Sequence, residues 1–362
     1  MGSLPPELVR NKADASRGGV RVKQVWFVSV AAMKIRWLLL RLLVVAIMVP
    51  ALMITTVRIL GPDDGRWVRL VSFTPYAVAA YGLAVLLLLL ALAAGRGFWR
   101  RASGTLCLLI LPLLGLHLWW ASGPYVGQPA ASAGEGDTLT VMSSNLSFGD
   151  ANPARVVGVA VKNDADILVL TEITPSALGR MQTAGLDQAF PYSQGETGEG
   201  VAGTMVFSTY ELSAVEPLDT TFRGFEMTVA LPDEPITLLA VHPHPPTGDA
   251  REWRADHAAV RRAAAGADGP TVIAGDFNAT VDHEPMRELE GRGFADAAEQ
   301  AKSGWQPTWP AAGEMSMLGV PVPSMLAIDH VLVTEELTAV DTESVTIQGT
   351  DHRALVARLA LR

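Results

Sequence analysis

The pattern of apolar and polar residues divides the chain into two parts. In the first part, residues 37–60, 70–95 and 102–121 are long apolar segments, and the second and third of these contain no charged residue. Each has about the length of roughly 20 residues that a helix needs to cross the hydrocarbon core of a bilayer. A secretory signal peptide would account for only one such segment. The pattern therefore predicts a membrane anchor of three helices.

The second part begins near residue 138 and alternates short apolar segments with polar turns. Strands are predicted at residues 138–143, 166–172, 203–208, 227–231, 236–242, 271–274, 328–333, 345–347 and 354–361. Helices are predicted at residues 153–162, 249–266 and 285–292. Because few helices separate these strands, the pattern favours an α/β fold with two sheets over a regular alternation of strand and helix.

Charge separates the same two parts. Residues 1–136 hold 14 Lys and Arg against 5 Asp and Glu, whereas residues 137–362 hold 14 against 32. The second part is strongly acidic and has no basic run, which counts against a broad electrostatic grip on nucleic acid. It does not exclude a nuclease that meets its substrate through bound cations.

These patterns predict four regions. Residues 1–34 form a mostly disordered cytoplasmic tail, 35–122 the anchor, 123–137 a linker rich in Gly, Ala, Ser and Pro, and 138–362 a soluble domain. With the N-terminus inside, 11 Lys and Arg lie on the cytoplasmic side and three on the other side. The positive-inside rule then predicts a multi-pass protein of the cell membrane whose soluble domain lies outside the cytoplasm.

Polar residues stand where the predicted strands begin or end. They are Asn145, Glu172, His242, Asp276, Asn278, Asp329, Asp351 and His352. Side chains at strand ends converge if the strands share a sheet edge. The segment from Gly275 to Asn278 is also compatible with a simple Asx turn. Carboxylates and amides without nearby cysteine suit Mg²⁺, Mn²⁺ or Ca²⁺ better than zinc.

The order and spacing of these residues resemble the endonuclease/exonuclease/phosphatase superfamily. This group includes deoxyribonuclease I, exonuclease III, neutral sphingomyelinase and the inositol-phosphate 5-phosphatases. The segments that carry the resemblance are Asn145, Glu172, His242, Gly275-Asp276-Phe277-Asn278, Ile328-Asp329-His330-Val331 and Thr350-Asp351-His352-Arg353. The resemblance covers residues 138–362. The predicted membrane part resembles a bacterial subset of the family in which such a domain follows three spans. The resemblance implies a four-layer sandwich of two mixed β-sheets flanked by helices, preceded here by three transmembrane helices.

The resemblance also implies a divalent-metal site, for which Mg²⁺ is favoured and Mn²⁺ or Ca²⁺ are alternatives. Glu172 matches the main metal ligand of the family, with Asn145 beside it. Asp351 matches a carboxylate of a possible second metal site. Many nucleases of the family have an acidic residue where this chain has Ser147, which weakens a two-metal interpretation.

Five further residues match catalytic positions of the family. Asp276 and Asn278 match the residues that orient the attacking water and bind the scissile phosphate. His352 matches the general base or the group that binds the phosphate, with Asp329 holding its far nitrogen. His242 matches an imidazole that stabilises the phosphorane oxygens. A carboxylate that fixes the tautomer of an imidazole is a common arrangement at such sites.

The resemblance therefore implies a membrane-anchored, metal-dependent phosphoesterase that hydrolyses a phosphodiester outside the cytoplasm. Phospholipid, nucleic acid and small phosphodiesters remain open as substrates, and the lipid bilayer is the other expected partner. An extracellular endonuclease proper and a non-catalytic binding module that retains the fold are the alternatives. No protein partner is evident from the sequence.

Three other histidines of the second part are predicted to lie outside the site. His330 follows Asp329 directly, so strand alternation turns its side chain to the opposite face. His257 lies among charged residues of the predicted helix 249–266 and His283 precedes the predicted helix 285–292, and both are predicted to be exposed to solvent.

Overall fold

The computed structural model describes residues 35–127, 138–248, 250–311 and 313–361. The predicted tail and residues 128–137 of the predicted linker lie outside these ranges. The described residues form two compact units. The helical unit comprises those of Met1–Met53 and Val78–Leu114, and the sheet unit comprises those of Ile54–Ala77 and Gly115–Arg362.

Three helices in the described ranges are long and apolar enough to cross a membrane, as predicted. They are Ile35–Leu60 (α1), Thr74–Ala94 and Phe98–Trp120 (α4), with 26, 21 and 23 residues. The second starts later than predicted, because a separate short helix, α2 (Gly65–Val71), precedes it and begins at an Asp64 cap. A turn of 3₁₀ helix, Thr74–Tyr76, then leads into α3, Ala77–Ala94.

The helical unit contains most of these three long helices. Ala84, Ala91 and Cys107 are buried in it. The guanidinium carbon of Arg41 lies 3.3 Å from the centre of the Trp99 ring. Many leucines of the three helices are exposed, as side chains that face lipid would be.

The sheet unit contains two sheets of six strands each. The strands of the first sheet are β1 (Thr138–Asn145), β2 (Ile167–Thr171), β3 (Tyr192–Glu196), β4 (Thr204–Ser208), β13 (Leu337–Thr346) and β14 (Arg353–Leu361). Their spatial order is β13-β14-β1-β2-β4-β3. Strands β1 and β2 run parallel, and the other neighbours in this sheet are antiparallel.

The second sheet has the same mixed character. Its strands are β5 (Leu212–Pro217), β6 (Phe225–Val229), β7 (Ile236–Val241), β8 (Thr271–Asp276), β9 (Ala295–Asp296) and β12 (Asp329–Val333). Their order is β5-β6-β7-β8-β12-β9, with β7 and β8 parallel. Two further short strands, β10 (Ser316–Met317) and β11 (Val320–Pro321), form a separate hairpin.

Helices cover the outer faces of both sheets. Helices α5 (Pro153–Lys162), α6 (Pro175–Thr183) and α7 (Leu186–Ala189) pack on the first sheet. Helices α8 (Arg251–Gly266) and α9 (Glu284–Glu290) pack on the second. Buried Val, Leu, Ile and Ala side chains from both sheets fill the space between them, together with α10 (Ala297–Ala301). The predicted four-layer sandwich is confirmed.

The sequence prediction missed several elements with few apolar residues. Strand β13 extends over ten residues, Leu337–Thr346, and the predicted strand 345–347 covers only the last two of them. Its buried positions include Thr342, which lies between the exposed Asp341 and Glu343, and Ser344, so the period of two is hidden in a polar segment. Strands β3 and β5 are mostly exposed edge strands and lack an apolar pattern for the same reason.

Candidate active site

The predicted polar residues meet at one edge of the two sheets. The parallel pairs β1/β2 and β7/β8 end at this edge, and the antiparallel strands β12 and β14 begin there. Asp329 is the register partner of Asp276 on the neighbouring strand. The topology therefore brings residues that are far apart in sequence within hydrogen-bond distance.

The end of β8 depends on glycine at position 275. Gly275 has a φ of +151°, and a Cβ atom there would lie 1.9 Å from the Val241 carbonyl oxygen of β7. Beyond it, the Asn278 amide donates to Asp276 Oδ1 at 2.8 Å, which forms an Asx turn. Asn278 itself has a φ of +47°. The predicted Asx turn is therefore present, and the same turn holds Asp276 and Asn278 at the sheet edge.

A buried amide joins two carboxylates at the centre of the edge. The side-chain nitrogen of Asn145 donates to Glu172 Oε1 at 3.1 Å and to Asp276 Oδ2 at 3.0 Å. The Phe148 backbone amide donates to the other oxygen of Glu172 at 2.7 Å. Glu172 has a φ of +56°, and a left-handed conformation in a residue other than glycine is often found at functional sites.

His352 lies between two carboxylates. Its Nδ1 is 2.9 Å from Asp329 Oδ2, and its Nε2 is 3.7 Å from Asp276 Oδ2. Asp329 is therefore placed to fix the tautomer and orientation of the imidazole. His330, the next residue along β12, contacts Asp296 Oδ2 at 2.7 Å and the Ala279 carbonyl oxygen at 2.9 Å instead, which agrees with strand alternation.

His242 approaches the same carboxylates from the end of β7. Its Nε2 lies 3.7 Å from Asp276 Oδ2 and 4.0 Å from Glu172 Oε1. The ring packs against Phe222, with 4.9 Å between ring centres. The buried ring is therefore held against the site and carries one nitrogen toward its centre.

Burial and like charge shift the protonation of this group of residues. Burial raises the pKa of Glu172 and of Asp276, and the charge of Asp329 raises the pKa of Asp276 further. Burial lowers the pKa of His352, but the Asp329 and Asp276 carboxylates outweigh it and raise that pKa to about 10. Burial lowers the pKa of His242 to about 4. The site is thus rich in closely spaced acidic groups.

The donor set fits a divalent cation. Asp276, Asp329 and His352 offer ligand atoms that all lie within 4.8 Å of one another, and Glu172 adds a further oxygen across Asn145. Asp329 Oδ1 is buried and has no hydrogen-bond partner within the described residues. Oxygen donors of this kind suit Mg²⁺, Mn²⁺ or Ca²⁺. A cation would also offset the repulsion between the carboxylates.

A family profile decides the affiliation of the chain. The profile described as "Endonuclease/Exonuclease/phosphatase family" matches residues 142–352, more than half of the sequence, and it includes every predicted site residue. The chain belongs to this family. The resemblance predicted from the strand-end residues is confirmed.

Solved structures of endonuclease/exonuclease/phosphatase proteins show the same fold. A member from Beutenbergia cavernae is 18% identical, with a TM-score of 0.51 over 62% of this chain and 72% of that one. D. rerio TDP2, complexed with single strand DNA product, is 14% identical, with a TM-score of 0.51 over 61% of this chain and 98% of that one. Among curated proteins no match is found.

Asp351 and Asn278 stand somewhat apart from the central group. The Trp309 indole donates to Asp351 Oδ2 at 3.1 Å, and within the described residues no hydrogen bond or ion pair joins Asp351 to Glu172 or Asn145. The side-chain nitrogen of Asn278 donates to the Pro243 carbonyl oxygen at 3.0 Å. The side-chain oxygen of Asn278 takes no part in this bond.

Several residues that support the site were not predicted. Trp253 donates its indole hydrogen to the Asn278 carbonyl oxygen at 3.1 Å, and Thr350 donates to the Asn145 carbonyl oxygen at 2.8 Å. The backbone amide of Phe148, which donates to Glu172, is a third supporting group that was not predicted. These bonds use backbone groups, which every residue has, so the sequence carries no signal for them.

Two histidine predictions were wrong. His257 and His283 are buried rather than exposed. His257 lies on the inner face of α8, where it contacts the Phe277 carbonyl oxygen at 3.0 Å. His283 precedes α9 and contacts the Val68 carbonyl oxygen of α2 at 3.0 Å. Charged neighbours in sequence do not report on these two side chains, because His257 occupies the inner face of α8 and His283 lies in the connection before α9.

Proposed function

We propose that this protein is a membrane-anchored, divalent-metal-dependent phosphoesterase that hydrolyses a phosphodiester outside the cytoplasm. Members of its family are usually phosphoester hydrolases. The observation that carries the proposal is the convergence of Asn145, Glu172, Asp276, Asp329 and His352 at one sheet edge. A cluster of buried acids has a cost in stability, and a catalytic cation site accounts for it.

The proposed roles are those that the family resemblance implies, and the contacts of each residue are consistent with them. Glu172, with Asn145 and Asp276 beside it, would hold the cation, which supplies Lewis-acid stabilisation of the phosphoryl oxygens when bound. Asp276 and Asn278 orient the attacking water and the phosphate. His352, held by Asp329, either takes the proton of the water as a neutral base or binds the phosphate as a cation. His242 faces the oxygens that gain charge.

Metal ligation by Asp351 stays a prediction. Its carboxylate accepts from the Trp309 indole, and within the described residues no hydrogen bond or ion pair joins it to the group around Asn145. The alternative of a non-catalytic binding module is disfavoured, because all eight predicted residues are present and six of them adjoin one another.

Localisation rests on the anchor. The three apolar helices support a multi-pass membrane protein, and the excess of Lys and Arg before α1 and between α3 and α4 supports a cytoplasmic N-terminus. With three spans, the catalytic domain would then lie on the other side. A phosphatase fused to the C-terminus should be active in intact cells, while a reporter that works only in the cytoplasm should be silent. The opposite result would place the domain inside.

Activity is tested with the full-length protein in detergent. The substrates are bis(p-nitrophenyl) phosphate, DNA, RNA, sphingomyelin and phosphoinositides, each with Mg²⁺, Mn²⁺ or Ca²⁺. We expect hydrolysis that requires one of these cations and is lost with chelator and in Asp276→Ala. Hydrolysis that survives both would mean that a contaminant is responsible. A folded protein that hydrolyses none of these diesters under any of the three cations would refute the proposed function.

A further inference from the structure

A hairpin at the catalytic edge exposes its apolar residues. Strands β10 and β11 pair Ser316 with Pro321 and Met317 with Val320, and residues 314–322 are called here the apolar hairpin. At its tip Met317, Leu318 and Val320 are 70%, 100% and 65% exposed. A contiguous exposed apolar patch on a soluble surface marks a place where another apolar phase or molecule is contacted.

The residue at the tip is unusual for its turn. The register leaves a two-residue loop, Leu318-Gly319, with φ angles of +51° and +78°. Loops with two positive φ angles favour Asn-Gly or Asp-Gly, because a bulky side chain is strained there. Leucine at the first position therefore destabilises the turn, and its apolar side chain is fully exposed.

The base of the apolar hairpin is tied to the start of a membrane-spanning helix. The Tyr76 hydroxyl donates to the Met325 carbonyl oxygen at 2.8 Å, and the Tyr76 and Trp305 rings lie 5.9 Å apart. Tyr76 belongs to the first turn of the span Thr74–Ala94. The hairpin thus leaves the domain next to the point where the chain enters the apolar span.

Further exposed aromatic residues lie on the segments that adjoin the ends of the spans. Trp67 on α2, Trp119 at the end of α4 and Tyr125 just beyond it are exposed, and all belong to the sheet unit together with Tyr76. Trp and Tyr are enriched at the boundary between lipid and water. This boundary is therefore expected beside the base of the apolar hairpin.

The catalytic residues lie close to the same place. Trp309, which precedes the hairpin, donates to Asp351, and the Arg353 amide donates to the Thr308 carbonyl oxygen at 2.8 Å. A cavity of about 70 Å³ has both Trp120 at the end of α4 and the catalytic Asp329 in its wall. The active site and the end of α4 therefore border the same cavity.

We infer that the apolar hairpin inserts into the leaflet next to the catalytic domain, and that the substrate is a phosphodiester headgroup of a lipid in that leaflet. The substrate part of the inference rests on the proposed function. Water attacks phosphorus and one phosphorus–oxygen ester bond breaks. A water proton ends on the leaving alcohol, so that diester and water give monoester and alcohol. The phosphate of a membrane lipid lies at the boundary to which the hairpin and the aromatic residues bring the site.

Insertion is tested with the full chain in nanodiscs. An environment-sensitive fluorophore is attached to Leu318→Cys in a Cys107→Ser background, since Cys107 is the single cysteine of the chain. We expect a blue shift and strong quenching by lipids that carry a quencher in the acyl chains. Glu234→Cys is the matched control, because its exposed turn precedes β7, at the end opposite to the catalytic edge. Equal quenching at both positions would overturn the insertion.

The substrate is tested by comparing two diesters. Leu318→Asn suits the turn better than leucine and removes the apolar tip. We expect it to lower hydrolysis of lipid in the same membrane at least tenfold and to leave hydrolysis of soluble bis(p-nitrophenyl) phosphate unchanged. Val161→Asn, at another exposed apolar residue, on α5, should change neither. The lipid panel contains glycerophospholipids, phosphoinositides and sphingomyelin, followed by phosphorus NMR.

Each result decides between distinct failures. If Leu318→Asn retains full lipid hydrolysis, or loses soluble and lipid hydrolysis alike, the hairpin does not present lipid to the site. If the wild type hydrolyses the soluble diester but no lipid of the panel, the substrate inference is wrong while the proposed function stands. If it hydrolyses neither, the proposed function itself fails.

Discussion

At the scale of single residues, adjacent positions on one strand have opposite surroundings. Asp329 faces His352, whereas His330 faces Asp296 and the Ala279 carbonyl oxygen. Both are buried, so burial alone does not separate them. Their partners do, because one partner belongs to the catalytic group and the other to the packing around β9. Substitutions at the two positions should therefore affect different measurements.

His352→Ala should lower kcat by roughly 10²–10⁴ if His352 moves a proton or binds the phosphate. Asp329→Asn should lose a large part of the same factor, because it disturbs the tautomer without emptying the site. His330→Gln should lower the thermal stability but leave the kcat of the folded protein close to wild type. Steady-state kinetics and circular dichroism on all three variants are the measurement. Equal loss of kcat in the folded Asp329 and His330 variants would contradict the assignment.

Glu172→Gln should change the metal requirement more than the maximal rate. The substitution removes one negative charge from the proposed cation site and keeps the size of the side chain. We expect the cation concentration for half-maximal activity to rise at least tenfold, measured by titrating Mg²⁺ or Mn²⁺. Asp187→Asn, at an exposed acid on α7, is the control and should leave the titration unchanged. An unchanged midpoint for Glu172→Gln would argue against ligation.

The candidate site residues could be predicted because each lies at the start or the end of an apolar strand that is easily recognised, such as β2, β8 or β12. Their convergence could be expected from the sheet edge. What the sequence could not supply was the arrangement of contacts, such as the Asn145 amide between Glu172 and Asp276. That contact depends on a left-handed backbone conformation at Glu172. Residues other than glycine rarely adopt this conformation, so the sequence does not predict it.

At the scale of elements, the close approach of β7 and β8 fixes the position of Asp276. The two parallel strands meet at Gly275, where the Val241 carbonyl oxygen occupies the space of a side chain. The glycine is therefore required by its neighbour as well as by its own φ angle. Asp276 comes directly after it, so strand packing and the geometry of the candidate site are coupled at this point.

Gly275→Ala should lower the free energy of unfolding by at least ~2 kcal/mol, because a methyl group there forces the two strands apart. It should also lower activity by moving Asp276. Gly158→Ala is the matched control on the exposed side of α5, where a Cβ atom meets nothing within 4 Å. It should stabilise the protein by about 0.5–1 kcal/mol, since alanine favours a helix. Thermal unfolding in detergent distinguishes the two, and a neutral Gly275→Ala would show that the strands have room to relax.

At the scale of the whole molecule, residues 54–77 pack as part of the unit that carries the site. Arg58 Nε lies 2.6 Å from Asp282 Oδ1, and Arg69 donates to the Pro246 carbonyl oxygen at 2.7 Å. Val68 is buried against the second sheet. That a chain beginning near Asp137 folds and is soluble on its own stays a prediction. Such a chain would have to fold without these contacts.

Arg58→Met should lower the free energy of unfolding by about 3 kcal/mol, because it leaves the buried Asp282 carboxylate without its partner. Burial already raises the pKa of Asp282, against the effect of Arg58. The raised pKa means that stability is present below the unfolded value of 3.8 and is lost as pH rises through the higher folded value. Because the loss of Arg58 removes an interaction that lowers this pKa, the deficit should grow as pH rises above 3.8. The double variant Arg58→Met, Asp282→Leu should recover most of the stability, and failure to do so would assign the loss to packing.

The sequence did not reveal this packing for a physical reason. Most of the contacts of residues 61–76 reach backbone carbonyl oxygens, those of Pro246, Gly248 and Met325 among them. Their own sequence is short, polar in part and bounded by apolar spans, which is typical of a simple connection. The anchor and the domain were therefore predicted as separate regions joined only at residues 123–137.

The packing of residues 54–77 has a consequence for the synthesis of the protein and for the exchange of its parts. These residues leave the ribosome well before α8, β8 and α9, so Val68 cannot become buried until the last third of the chain has been synthesised. A graft that joins the domain to a foreign anchor at the junction after α4 would discard them. A hybrid protein must therefore keep the connection between the first two spans together with the domain. A gene recombination that separates these two segments would lose this packing.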